Sequence, residues 1–192
     1  LLMTNTASSN YQYGWYMDGN DLILRNVSAA LNPLSIASTG AATFSSSVTA
    51  SSLIKSGGTS TQALIADGSV QTLTSGTYGP TPVGVANITA ISNGNFYYTR
   101  VGDIVTVSGV MDVEVTGNET ATTIGIPLPV SSNFTAGDQC SGYANLYVSS
   151  SGGQVGKIVA DATNDRAIIT LYPYFGAGVS TQTTFTFSYR VI

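Results

Sequence analysis

Apolar and polar residues alternate most regularly in the second half of the chain. Val105, Val107, Met111, Val113 and Val115 fall at every second position, with Thr106, Ser108, Asp112 and Glu114 between them. Period two marks a strand with one face buried. Phe185, Phe187, Tyr189 and Val191 repeat the pattern against Thr184, Thr186, Ser188 and Arg190. Shorter runs over 83–91, 95–101, 123–128, 142–148, 154–160 and 166–175 bring the expected total to about eight strands. Asn93-Gly94, Gly102-Asp103, Gly117-Asn118, Gly152-Gly153 and Asn164-Asp165 separate them with residues that tolerate positive φ. No stretch carries a 3.6-residue period with caps, so the pattern predicts an all-β chain. Strands of this number and spacing in residues 77–192 predict a C-terminal head built as a β-sandwich, jelly-roll-like in its wrapping.

Before Gly76 the texture changes. Residues 11–17 and 22–26 can pair across Asp18-Gly19-Asn20, although one hairpin alone is marginal in water. Leu34 and Ile36, Phe44 and Val48, Leu53 and Ile54, and Leu64 and Ile65 form small apolar clusters, each followed by a polar or Gly-rich break. Full burial of one such side chain stabilises by about 1.5–3 kcal/mol. Ordering each residue costs about 1–2 kcal/mol, so a lone extended chain of this kind stays unfolded. Residues 1–76 are therefore either a flexible stalk or a short β-rich shaft whose copies cover one another's apolar residues, and a parallel homotrimer is expected.

Composition narrows the function. Of 192 residues 43% are hydrophobic and 8% are charged, against a norm of about a quarter charged. The chain is apolar enough to fold, with so few charges that packing and backbone ladders must hold it. Net charge is −4, and Arg25, Lys55, Arg100, Lys157, Arg166 and Arg190 are scattered; without a basic stripe, nucleic acid is not an expected partner. No apolar run approaches the ~18 residues of a membrane helix, so no membrane insertion is expected. Leu1-Leu2-Met3 turns polar too soon for a signal peptide. A start without initiator Met is read as a fragment or processed product, whose missing N-terminal region could hold an anchor.

The chain has no histidine. That excludes a Ser-His-Asp triad within one chain, a zinc site of the usual type and most general-base mechanisms. Asp112 and Glu114, about 7 Å apart by strand rise, match the carboxyl spacing of an inverting glycosidase and so of a polysaccharide depolymerase. The alternation puts both on the solvent face, without the apolar pocket a general acid needs, and the expectation is no enzyme. Asp161, Asn164 and Asp165 could offer oxygen ligands to calcium, yet they lack the alternating ligands and terminal bidentate Glu of a calcium loop. A hairpin turn is expected there, and no metal or cofactor. Cys140 stands alone, which excludes an internal disulfide and predicts a buried thiol. The Asn-X-Ser/Thr triplets at Asn26, Asn87, Asn118 and Asn133 are read as chance in so Ser/Thr-rich a chain.

Two aromatic groups are binding candidates. Tyr172, Tyr174 and Phe175 sit beside Pro173 and Gly176, and aromatic rings exposed at a strand end suit a sugar-binding surface. The more ordinary use of such rings is to complete a sandwich core or a trimer seam. Trp15 among Tyr11, Tyr13 and Tyr16 offers either a glycan platform or a subunit contact.

Pro33-Leu34-Ser35-Ile36-Ala37-Ser38-Thr39-Gly40-Ala41-Ala42-Thr43-Phe44-Ser45-Ser46-Ser47-Val48-Thr49-Ala50 resembles a segment that recurs in phage tail fibres and related virion appendages. Lys55-Ser56-Gly57-Gly58-Thr59-Ser60-Thr61-Gln62, followed by Ala66-Asp67-Gly68-Ser69-Val70, is similar to a fibre segment that precedes a terminal domain. Tyr98-Thr99-Arg100-Val101-Gly102-Asp103-Ile104-Val105-Thr106-Val107-Ser108-Gly109 and Thr163-Asn164-Asp165-Arg166-Ala167 resemble a family of phage fibre C-terminal domains. The resemblance implies a homotrimer on the virion, as a tail or capsid appendage joined to other virion proteins through a missing N-terminal region, that attaches to a host cell-surface glycan or protein receptor. It brings no catalytic residues, and a purely structural spike or spacer is the alternative.

Overall fold

A computed structural model describes residues 2–4, 12–27, 29–92, 94–148 and 152–192. Tyr11 and Asn93, expected in a hairpin and a turn, lie outside the described residues. The chain divides into two compact units, Leu1–Ile54 and Lys55–Ile192.

The first unit is an antiparallel meander of β1 (Leu2–Thr4), β2 (Gln12–Asp18), β3 (Asp21–Asn26), β4 (Leu31–Ile36) and β5 (Ala42–Phe44), paired in that order. Asp18 meets Asp21 across the expected turn, where Gly19 takes φ +60°, a conformation glycine adopts without steric cost. Residues 33–50, which carry the fibre resemblance, supply most of β4, a turn at Gly40 and β5. Ile23 is the one buried large hydrophobic among the described residues of this unit. Phe44, Val48, Leu53 and Ile54 are exposed, and Leu34 and Ile36 are half-buried.

The second unit contains β6 (Gln62–Leu64), β7 (Val70–Tyr78), β8 (Val83–Ala86), β9 (Ile88–Ile91), β10 (Phe96–Val101), β11 (Ile104–Val115), β12 (Thr122–Pro127), β13 (Cys140–Val148), β14 (Gly152–Asp161), β15 (Arg166–Leu171) and β16 (Ser180–Arg190). All pairings are antiparallel, and three of them nest: β13 with β14, β12 with β15, β11 with β16. β13 also lies against β16. Nested pairing of this kind wraps the strands over one another, and the fold is all-β and sandwich-like. The inward side chains of the two regular strands, Val105, Val107, Met111, Val113 and Val115 with Phe185, Phe187 and Tyr189, fill one core. Phe96 meets Phe185 edge-on at 4.7 Å. Both rings lean over Gly109, where an added Cβ would collide with them.

The curled sheet meets itself. β8 pairs with β12 and β9 pairs with β11, although only Asn87 separates β8 from β9. Asn87 has φ +54°, which turns the chain from one side of the sheet to the other and which Asn tolerates better than most residues. Its side chain fastens the junction. Nδ2 donates to the Gly117 carbonyl at 2.8 Å and to Thr122 Oγ1 at 2.7 Å, and Oδ1 accepts from the Gly117 N–H at 2.8 Å. Among the described residues, ion pairs contribute little: Arg166–Asp161 at 2.8 Å and the exposed Arg190–Asp103 at 3.9 Å.

The division expected between residues 76 and 77 falls inside β7. That strand pairs with β10 from Tyr78 opposite Phe96 to Leu73 opposite Val101. A turn in which Asp67 Oδ1 accepts the Ser69 N–H at 2.8 Å joins it to β6. The compact unit accordingly begins near Lys55.

Two outcomes follow for stability. A fragment spanning 55–192 melts cooperatively, whereas 77–192 leaves β10 with an unpaired edge and melts roughly 5 °C lower or more by circular dichroism; equal melting would place the boundary back inside β7. Asn87→Gly keeps the backbone freedom and removes the side-chain bonds, so chemical denaturation should register a loss of about 1–3 kcal/mol. An unchanged midpoint would show that the clasp is dispensable.

Candidate functional site: a tyrosine-walled depression

β15 ends at Leu171, but the alternation of buried and exposed positions runs on: Leu171 in, Tyr172 out, Pro173 in, Tyr174 out, Phe175 in. Tyr172 is 59% exposed and Tyr174 66%, whereas Phe175 is 7% exposed and belongs to the core. Of the three expected contact residues, then, two reach the surface. Positions two apart share a side of extended chain and adjacent ones do not, which is why Phe175 is no part of a binding surface.

Glu119, in the loop between β11 and β12, joins the two tyrosines. Its N–H donates to the Pro173 carbonyl at 2.6 Å. Its φ of +51° is uncommon away from glycine and is a form of backbone strain often found at functional positions. From the other side Gln154 of β14 accepts the Tyr174 N–H at 3.0 Å. Glu119, Tyr172 and Tyr174 together line a shallow depression of about 380 Å³. Asn87 secures the Glu119 loop at both ends, through Gly117 at its start and the Thr120 carbonyl and Thr122 hydroxyl at its close. The sequence marked this loop only as a Gly117-Asn118 turn, and no local pattern ties Glu119 to tyrosines so far along the chain.

Chemically the depression offers two ring faces, about 7 Å apart along extended chain, and a carboxyl group that accepts hydrogen bonds. Rings of this kind present an apolar body with a polar tip. Asp112 and Glu114 do not line it: they lie on the outer side of β11, across from Gln182 and Ser180 of β16.

Asp161, Asn164 and Asp165 form the β14–β15 turn. The Asp161 carboxylate accepts the N–H groups of Thr163 and Asn164, the Asn164 Nδ2 and the Arg166 Nε. Asp165 instead binds the N–H groups of Ser132 and Phe134, each at 3.0 Å, and so tethers the crossover between β12 and β13. Partial burial works to raise the Asp165 carboxyl, but bonds from the Phe134, Asn133 and Ser132 N–H groups outweigh it and hold it below its usual value. No three His, Cys, Asp or Glu side chains gather as metal ligands among the described residues. Cys140 is buried, and burial pushes its thiol up to about 12, leaving little reactive thiolate. Trp15 and Tyr16 are neighbours on β2, across from Leu24 and Ile23, so they lie on opposite faces and do not make one platform. Tyr11 and the side chain of Tyr13 lie outside the described residues.

No family model, curated protein or solved structure matches the chain.

The Asp165 tether has a pH signature. A carboxyl held below its unfolded value stabilises the fold above that value and loses its contribution as pH falls through the lower, folded one. Asp165→Asn should therefore cost about 1–3 kcal/mol at pH 7, and the gap should close as pH drops below about 4. A gap that persists in acid would show that the carboxylate's charge is not what holds the crossover.

Proposed function

We propose that this chain is an attachment protein of a bacteriophage fibre, carried on the virion as a homotrimer, whose head binds a host cell-surface glycan or protein receptor. The observation that supports binding by the head is the Glu119, Tyr172 and Tyr174 depression. Two large aromatic rings are left in water beside a carboxyl group, while the neighbouring Pro173 and Phe175 turn inward. Exposed rings next to a hydrogen-bonding group are what recognition of a saccharide ring or a peptide side chain requires. The fibre reading rests on the resemblance carried by residues 33–50, 55–70, 98–109 and 163–167.

The reading is non-catalytic. Glycoside hydrolysis uses two carboxyl groups across the scissile bond, and the depression is lined by one, from Glu119. The second reading, a structural spike or spacer, draws on the apolar N-terminal sheet, which has the makings of an assembly element.

Purified protein should compete with the parent particle for adsorption to host cells. Tyr172→Ala with Tyr174→Ala should weaken that competition roughly fivefold to 150-fold, each ring contributing about 0.5–1.5 kcal/mol. A double variant that competes as well as the native protein, with an unchanged melt, would remove the site. Absence of competition by the native protein would favour the spacer.

A further inference from the structure

The N-terminal sheet carries two unbroken apolar rows. Across β2, β3, β4 and β5, Trp15 stands opposite Leu24, Leu24 opposite Leu34 and Leu34 opposite Phe44. One step along, Met17 stands opposite Leu22, Leu22 opposite Ile36 and Ile36 opposite Ala42. Strand alternation puts all eight on one face. The other face carries the charges Asp18, Asp21 and Arg25 with Ser35 and Thr43, around a small patch of Tyr16 and the buried Ile23. On the apolar side Met17 is 67% exposed and Phe44 50%, with Trp15 and Leu22 also exposed.

From this we infer that the face formed by these two rows is where copies of this chain pack against one another, sheet face on sheet face. The inference rests on the multi-copy reading above and names its surface. Three observations select a further copy as the occupant. A single sheet without a core is marginal, and this unit buries one large hydrophobic among its described residues, so its cover must be present whenever the chain is made. The face has no charged side chain, so two identical faces approach without repulsion, and Asp18, Asp21 and Arg25 stay on the outside. Side chains of two facing sheets interdigitate at about 10 Å separation, a geometry that rows of Leu, Ile, Met and aromatic residues fill.

The test uses the full chain in solution. Light scattering at micromolar concentration should give three times the 19.8 kDa of one chain. Met17→Glu with Phe44→Glu should bring the mass down to one chain, while Thr43→Glu on the opposite face leaves it unchanged. A second arm covers variants that fail to fold. Because Cys140 is buried, a Met17→Cys variant carries the only accessible thiol among the described residues; mild oxidation should link it between chains, and Thr43→Cys should stay unlinked. A native mass of one chain, a Glu variant that keeps the native mass, or cross-linking only through Thr43→Cys would each overturn the inference. A single-chain mass with capture by neutral phosphatidylcholine vesicles would overturn it in favour of a lipid surface. A native mass of one chain would remove the homotrimer as well, whereas a Glu variant that keeps the native mass removes this surface alone; the adsorption competition tests attachment apart from both.

Discussion

An antiparallel sheet must do something with its two outermost strands, whose N–H and C=O groups otherwise stay open. In this head the ladder ends at β6 and at β8, and Asn87 ties the β8 end back into the sheet through the chain itself. One left-handed residue lets a continuous stretch of chain pair with β12 before it and with β11 after it. The side chain then bonds to Gly117 and Thr122, joining the end of β11 to the start of β12. The Glu119 loop spans those two points. The junction of β8 with β9 and the presentation of the depression therefore hang on the same residue, and a change that loosens one loosens the other.

The two units treat the same problem differently. Both are built from strands with one apolar side. The head has enough long strands for its sheet to curl until the apolar sides of β11 and β16 face those of β12, β14 and β15 in one core. Five short strands, three of them of six residues or more, do not reach round, and their apolar rows are left facing outward. Strand number and length, rather than any difference in residue type, decide whether a sheet can supply its own cover.

What was legible in the sequence follows from this. β11 and β16 could be read because large inward residues alternate with Thr and Ser along the chain itself. β7 could not: Thr72, Thr74, Ser75, Gly76 and Thr77 give it no apolar alternation, and its pairing with β6 and β10 makes it a strand. The kink at Asn87 is equally silent, since 83–91 reads as one run and the bend sits in a single dihedral. Leu34, Ile36 and Phe44 read as small isolated clusters because the rows they belong to run across strands, at right angles to the sequence. Tyr172 and Tyr174 were visible as aromatic residues near a strand end. Phe175 was grouped with them although its position in the alternation sends it inward, and Glu119 reaches them only through the tertiary fold.

The scarcity of charge in the folded head has an environmental consequence. Its ordered contacts are backbone ladders, apolar packing and hydroxyl pairs such as Thr106 Oγ1 with Ser188 Oγ at 2.9 Å. Dissolved ions screen charges and leave contacts of these kinds nearly untouched. The carboxyl groups tied into the fold, Asp161 and Asp165, are held below the usual carboxylate value, and the buried Tyr78, Tyr189 and Cys140 are pushed above theirs. Between about pH 5 and pH 9 none of these groups changes charge. The contacts that hold the head together thus stay the same in dilute buffer and in brine, and across mild acid and mild alkali.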